Sequence, residues 1–263
     1  MKISVNIPSY KRPSDVKTLK YLPFCNVWVA PFEFEEYKRN YPEASIVKCD
    51  EGVQGFGVPK VRNFIMRKEF EKGADVVVIV DDDLSYIERY EVNKETKFGY
   101  EKRRVETNDF LSFIEKYSIL ANDIGAKFWG VNCNYDKMCL RHYSPFSTIA
   151  YIGGPFQCFL KGNELYYDEN IPLKEDYDMT LQQINKYRVV FRVNSYHYIC
   201  EQSTNKGGCA AIRNRDEEKR QNLLLQKKWG SKIVKFDSTN KGHSNKKKLE
   251  DYNPIIHIPI KGI

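Results

Sequence analysis

The sequence contains no apolar run near the ~18 residues that a membrane-crossing helix needs, so no transmembrane helix is expected. The opening stretch MKISVNIPSYKRP turns to proline and charge before a signal-peptide core could form, which points to a cytoplasmic protein. Seven cysteines (25, 49, 133, 139, 158, 200 and 209) include no C-x-x-C pair. An odd count without such pairs argues against a disulfide framework and for mostly buried free thiols. Cys133, Cys139 and His142 lack a fourth partner at ligand spacing, so zinc is not expected either. Internal repeats are missing as well. Pro and Gly, 11 and 15 in 263 residues, are too few for a collagen-like or mostly disordered chain.

What is present is a chain that is 41% hydrophobic and 29% charged, long enough to bury a core as one large or two small domains. Its charge is lopsided. Residues 205–248 hold 13 Lys or Arg against 4 Asp or Glu, a net of +9, and the rest hold 29 against 31, a net of −2. A clustered basic field suits a polyanion such as nucleic acid, although a solvated Lys-rich helix and loop has the same composition. Lys206, Arg213, Arg215, Lys246, Lys247 and Lys248 are the candidate contacts.

Along the chain, strands and helices alternate. Strands are predicted over 2–7, 25–30, 44–49 and 74–80, and helices over 14–21, 33–40 and 59–72, with Pro59 in the first turn of the last and Gly73 as its stop. Ala74–Val80 is a continuous β-branched run, the pattern of a strand buried on both faces of a parallel sheet. The order argues an α/β domain with a largely parallel sheet. Further on, helices are expected over 110–124, 175–186 and 216–229 and strands over 128–132 and 188–198, with strand and turn over 149–160.

The buried run ends in Asp81-Asp82-Asp83. Ligands of open α/β sheets bind outside the carboxyl ends of the strands, and three acids there call for a cation. Hard oxygen donors favour Mg²⁺ or Mn²⁺ completed by substrate phosphates, with 81 and 83 on the same side of an extended strand. A phosphatase or a nucleotidyltransferase would present the same cluster, and an Asp-rich turn is the structural alternative.

The block Gly57-Val-Pro-Lys-Val-Arg62-Asn63, set before a strand ending in D-x-D, resembles the GT-A glycosyltransferases, many inverting members of which carry G-x-x-x-x-R-N at this place. Ile7-Pro8-Ser9-Tyr10-Lys11-Arg12-Pro13 resembles their first strand and nucleotide loop, and Lys174-Glu175-Asp176-Tyr177-Asp178 resembles the motif that carries the catalytic base. The three matches span residues 3 to about 186. The resemblance implies a GT-A fold, Rossmann-like with a mostly parallel sheet flanked by helices. It implies a catalytic domain over 1–204, with a nucleotide-sugar half (1–100) and an acceptor half (101–204), followed by a basic extension over 205–263. It implies a metal-dependent enzyme using Mn²⁺ or Mg²⁺ and a nucleotide sugar such as a UDP-sugar. Asp81 and Asp83 are the implied metal ligands, with His197 completing the site and His243 as second candidate. Pro8, Ser9, Tyr10, Arg12, Asp50, Lys60, Arg62, Asn63 and Asp82 are the implied nucleotide-sugar contacts; Lys60 and Arg62 either meet phosphates or position the acids, and Asn63 bonds the nucleotide loop. Asp176 is the implied general base for inverting transfer, with Glu175 orienting it or the acceptor.

More narrowly, the SYKRP start, the compact length, the acid triplet and Asn205-Lys206-Gly207-Gly208 look like the TET-associated glycosyltransferases of bacteriophages, which act on hydroxymethylated pyrimidines in DNA. This implies a DNA acceptor, a base flipped toward the metal centre, contacts from the Trp229 and Phe236 region, and work in the host cytoplasm. A glycan, lipid or protein acceptor, a nucleotidyltransferase, and a non-catalytic nucleic-acid-binding module are the rival readings.

Overall fold

In the computed structural model of the chain, the described residues are 1–55, 57–97, 99–136, 143–200, 213–236 and 253–258. Lys206, Lys246, Lys247, Lys248, His243, Cys139, His142, Cys209 and the Asn205–Gly208 turn lie outside them. The elements run β1 (Ile3–Pro8), α1 (Thr18–Tyr21), β2 (Asn26–Val29), α2 (Phe34–Asn40), β3 (Ser45–Lys48), α3 (Pro59–Glu71), β4 (Val76–Val80), β5 (Leu84–Val92) and β6 (Tyr100–Arg104). They continue with α4 (Phe110–Asp123), β7 (Phe128–Asn132), β8 (Phe146–Ser147), β9 (Phe156–Leu160), α5 (Glu175–Tyr187), β10 (Phe191–Cys200), α6 (Arg215–Trp229), β11 (Val234–Phe236) and β12 (Pro254–Ile256).

Ten strands form one sheet in the order β3-β2-β1-β4-β9-β7-β10-β5-β6, with β8 also on β10. β1, β2, β3, β4, β6, β7 and β10 run in one sense and β5, β8 and β9 in the other. The sheet is therefore mixed, with most strands in a common direction. Its strictly parallel part is the first half, β3-β2-β1-β4. β4 lies at the centre of this arrangement and is buried at all five positions. Val76, Val78 and Val80 enter the core cluster on one face, with Phe110, Ile114 and Ala121 of α4. Val77 and Ile79 enter the cluster on the other, with Ile65 and Met66 of α3 and Met179 of α5. Helices on both faces explain why the strand reads as unbroken valine and isoleucine rather than as an alternation.

The local signals act as expected at several ends. Pro59 opens α3, where its missing N–H costs nothing, and Gly73 takes φ +82° after its last turn. Asn214 caps α6 by accepting the Glu217 N–H at 3.0 Å.

The β5–β6 hairpin is not foreseen by the sequence pattern. Its burial does not alternate cleanly, because aromatic rings and cations cover one another instead of packing on aliphatic side chains. The Arg104 guanidinium lies 3.8 Å from the Tyr86 ring centre and the Lys102 ammonium 5.5 Å from that of Tyr90. The hairpin, close behind the acid triplet in sequence, crosses to pair with β10 at the far side of the sheet.

The C-terminal segment packs on α5. Leu225 and Val234 bury against Ile171 and Leu181. Asp178, wholly buried, accepts Trp229 Nε1 at 2.8 Å and Lys228 Nζ at 2.9 Å. This acid of the 174–178 block therefore serves docking of α6 rather than chemistry. Asp178→Ala should remove about 1.5–3 kcal/mol of stability, the range for hydrogen bonds to a charged group, measured by urea unfolding. An unchanged midpoint would show that α6 does not depend on this anchor.

Candidate active site

A cleft of about 520 Å³ opens at the carboxyl ends of β1 and β4, with the first turns of α3 and α5 at its edge. This is the crevice where open α/β sheets hold ligands. β4 stops at Val80, and Asp81-Asp82-Asp83 form a tight turn into β5. Asp82 turns inward, where it accepts Ser9 Oγ at 2.7 Å and pairs with Arg12 Nη1. Ser9 also bonds Tyr37 Oη at 2.9 Å, so Asp82 holds the loop after β1 in place. Asp81 pairs with Arg62 at 2.7 Å and keeps 30% of its side chain exposed. Asp83 is half-buried beside them.

Two of the three acids resist ionisation. Burial raises Asp82 to about 6, against the pull of Arg12 and Ser9. Burial, then Asp81 and Asp82, raise Asp83 to about 7. Asp81 and Asp83 offer the hard oxygens that Mg²⁺ and Mn²⁺ take. Asp82 is committed to Arg12 and Ser9, and among the described residues no three His, Cys, Asp or Glu side chains are grouped to hold a metal alone. The site fits a cation shared between one or two carboxylates and the phosphate oxygens of a ligand.

Arg62 lies behind the triplet with only 1% of its side chain exposed. It bonds Asp81 at 2.7 Å, the Gly154 carbonyl at 3.1 Å and Glu175 at 3.1 Å. Burial works against its charge, but Asp81 and the other nearby acids outweigh that and hold its pKa above the ordinary arginine value. Of the two roles open for Arg62, the structure favours positioning of the acids. Glu175 is raised to about 8 by burial and by Asp176, with Arg62 opposing.

Asp176 stands in the first turn of α5. Its Oδ2 accepts the Tyr151 hydroxyl and the Gly154 N–H, the latter at 3.1 Å, and its Oδ1 accepts the Tyr177 N–H at 2.9 Å. The Gly153-Gly154 turn has to be tight here. A Cβ on Gly153 would strike the Tyr198 hydroxyl, and one on Gly154 would sit 3.4 Å from both Arg62 and Asp176.

Pro8, Ser9, Tyr10, Arg12, Arg62, the three acids, Glu175, Asp176 and Arg213 all line the cleft. Other expected residues do not. His197 is spent on Glu88, 3.1 Å away, and stacks on Tyr90; it faces the β5–β6 hairpin because β10 pairs with β5 at that register. Asn63 points back from α3 to the Tyr167 backbone, accepting its N–H at 2.7 Å and donating to its carbonyl at 3.0 Å, so it pins the 167 loop rather than the nucleotide loop. Lys60, Asp50 and Arg215 are exposed and outside the cleft lining, since each lies on a solvent side of its helix or loop. Sequence reasoning missed Gln54, Tyr151, Lys174, Glu218 and Asn253, which line the cleft from loops and from the C-terminal segment. Only Lys174, inside the 174–178 motif, had any signal.

The model of a family described as TET-associated glycosyltransferase matches residues 3–208. No curated protein matches the chain. Among solved structures, glucosyl-3-phosphoglycerate synthase from Mycobacterium tuberculosis, in complex with Mn²⁺, UDP and glucosyl-3-phosphoglycerate, is similar at a TM-score of 0.50. The identity is 11%, over 89% of this chain and 84% of that one, so the likeness is one of fold. TarS 1–349 from S. aureus, in complex with UDP, gives a TM-score of 0.45 at 14% identity over 86% of this chain. The present chain spans 64% of that TarS fragment.

The raised acids have a consequence for stability. A folded carboxyl that binds its proton more tightly than the unfolded chain stabilises below the unfolded pKa of about 4, and that contribution is lost as pH rises through the folded value. For Asp83 the loss is complete above about pH 7. Asp83→Asn should therefore match wild type in melting temperature near pH 4 and exceed it at pH 8. Adding Mn²⁺ at pH 8 should recover the wild-type deficit and leave the variant unmoved. A difference between the two proteins that is independent of pH would refute the electrostatic account.

Proposed function

The chain belongs to the TET-associated glycosyltransferase family, and on that basis we propose that it transfers a sugar from a uridine-diphosphate-type nucleotide sugar to the hydroxyl of a hydroxymethyl-pyrimidine in phage DNA. The observation that carries this reading is the convergence of the acid turn and Asp176 on one cleft, with Arg62 joining Asp81 to Glu175, the neighbour of Asp176. The complex of the M. tuberculosis synthase with Mn²⁺ and UDP supports a cation and a uridine nucleotide for this fold.

In this reading Asp81 and Asp83 would hold Mn²⁺ or Mg²⁺, and Pro8, Ser9, Tyr10 and Arg12 line the nucleoside end. When bound, the cation neutralises charge on the departing diphosphate. Asp176 takes the acceptor proton as the acceptor oxygen bonds the anomeric carbon and the bond to the diphosphate breaks, with inversion. Support for a nucleic-acid acceptor comes from the net +9 of residues 205–248 and from Arg213, which reaches the cleft with 40% of its side chain exposed. Such an acceptor places the work in the host cytoplasm.

The test is transfer from nucleotide sugars, with Mn²⁺, to a duplex bearing 5-hydroxymethylcytosine and to the same duplex unmodified. Sugar should appear on the first alone. Apparent affinity for the duplex should fall with salt, each phosphate contact adding about −0.9 to the log–log slope. Asp176→Asn should retain donor binding and lose ~10²–10⁴-fold in transfer. Transfer to a glycan or protein with salt-independent DNA binding would remove the DNA acceptor and leave the chemistry standing. Wild-type transfer by Asp176→Asn would remove the base.

A further inference from the structure

Asp176 does not stand alone at the start of α5. Tyr151, in the loop before β9, gives its hydroxyl to Oδ2, and the Gly154 N–H gives the same oxygen a second bond at 3.1 Å. Oδ1 accepts only the Tyr177 N–H, at 2.9 Å, among the described residues. An ionised carboxylate has about four acceptor sites, two on each oxygen. Oδ2 is therefore filled by the protein, and Oδ1 keeps a site toward the cleft that Asp176 lines.

Tyr151 is itself fixed. Its ring stacks on that of Tyr177, with centres 4.2 Å apart and planes 19° apart. Its carbonyl accepts Arg192 Nη1 at 3.3 Å, and the next N–H, of Ile152, bonds Thr180 Oγ1 at 3.2 Å. The peptide that follows the phenol is thus fastened to β10 through Arg192 and to α5 through Thr180. Burial, then the Asp176 carboxylate, push the Tyr151 hydroxyl well above its usual value, so it stays a donor rather than an acid. Tyr151 lines the cleft beside Asp176 and has no charge with which to meet a diphosphate.

We propose that Tyr151 is the positioning residue of the base: it occupies Oδ2 and so presents Oδ1 as the atom that takes the acceptor proton. The inference rests on the assignment of Asp176 as base. In the step, the proton of the attacking hydroxyl passes to Oδ1, the oxygen bonds the anomeric carbon, and the electron pair of the broken C–O bond leaves on the nucleoside diphosphate. Tyr151 and Gly154 keep their bonds to Oδ2 throughout, so the carboxylate cannot rotate to meet the proton with the wrong oxygen.

The experiment is a double-mutant cycle between Tyr151→Phe and Asp176→Asn. Its readout is nucleoside diphosphate released from a panel of uridine-diphosphate sugars with Mn²⁺, water serving as acceptor. Tyr151→Phe keeps the ring stack and removes only the hydroxyl. It should lower kcat by about 10-fold or more, a loss of about 1.4 kcal/mol for each tenfold step, while donor KM and donor affinity by calorimetry stay within twofold of wild type. In the Asp176→Asn background the same change should cost nothing further, because no base is left to position. A wild-type kcat for Tyr151→Phe overturns the proposal, as does an equal loss in both backgrounds, which is what a merely structural tyrosine would give. Wild-type turnover by Asp176→Asn would instead strike the base assignment, a distinguishable failure.

Discussion

A guanidinium buried as deeply as that of Arg62 must be surrounded by acceptors, and they come from distant parts of the chain. Asp81 arrives from the end of β4, the Gly154 carbonyl from the turn before β9, and Glu175 from the start of α5. Arginine suits the place because its planar fork serves several acceptors at once and stays charged, which a lysine could not do with the same geometry. The pairing fixes how the acid turn sits relative to the helix that carries Asp176. The acid turn and the start of α5 share one counterion, so neither can shift without exposing a buried charge.

A second buried pair does similar work on the other wall. Lys174 and Glu218 lie 2.5 Å apart, exposed over 2% and 3% of their side chains, and Arg213 joins Glu218 at 3.0 Å. Lys174 also reaches Asn253 at 3.3 Å. Arg213, Glu218 of α6 and Asn253 lie beyond the 3–208 span of the family match, yet they supply this wall. The core of the fold and the acid turn thus fall within the family pattern, while part of the wall next to Asp176 is built by the more C-terminal residues.

The acid turn is held in an unfavourable state by the rest of the molecule. Val80 ends a strand with no exposed position, so the next three residues emerge together at the crevice, and Asp82 is the one drawn inward by Ser9 and Arg12. Burial, then repulsion from the neighbouring acids, raises Asp82 and Asp83 toward neutrality. Strain of this electrostatic kind at a cleft is common where a ligand charge is to be received.

Much of the parallel half was legible from residues alone. The valine run of β4, the Pro59 and Gly73 bounds of α3, and the acids at a strand end each obey a local rule, and the resemblance of three motifs pointed to the fold and to Asp81, Asp83, Asp176 and Glu175. Local rules do not say which distant element a side chain will meet. His197 looked available and is taken by Glu88 because β10 pairs with β5 across the sheet. Asn63 looked like a ligand contact and is consumed by the 167 loop. Tyr151 carried no motif at all; its phenol matters only because the turn at Gly153-Gly154 brings it to Asp176. The sequence by itself determined the buried strand, its acidic end and the kind of charge the cleft would carry, since these depend on composition along a few consecutive residues. Tertiary structure alone decided which partner each of those charges meets, since pairing depends on contacts between residues many tens of positions apart.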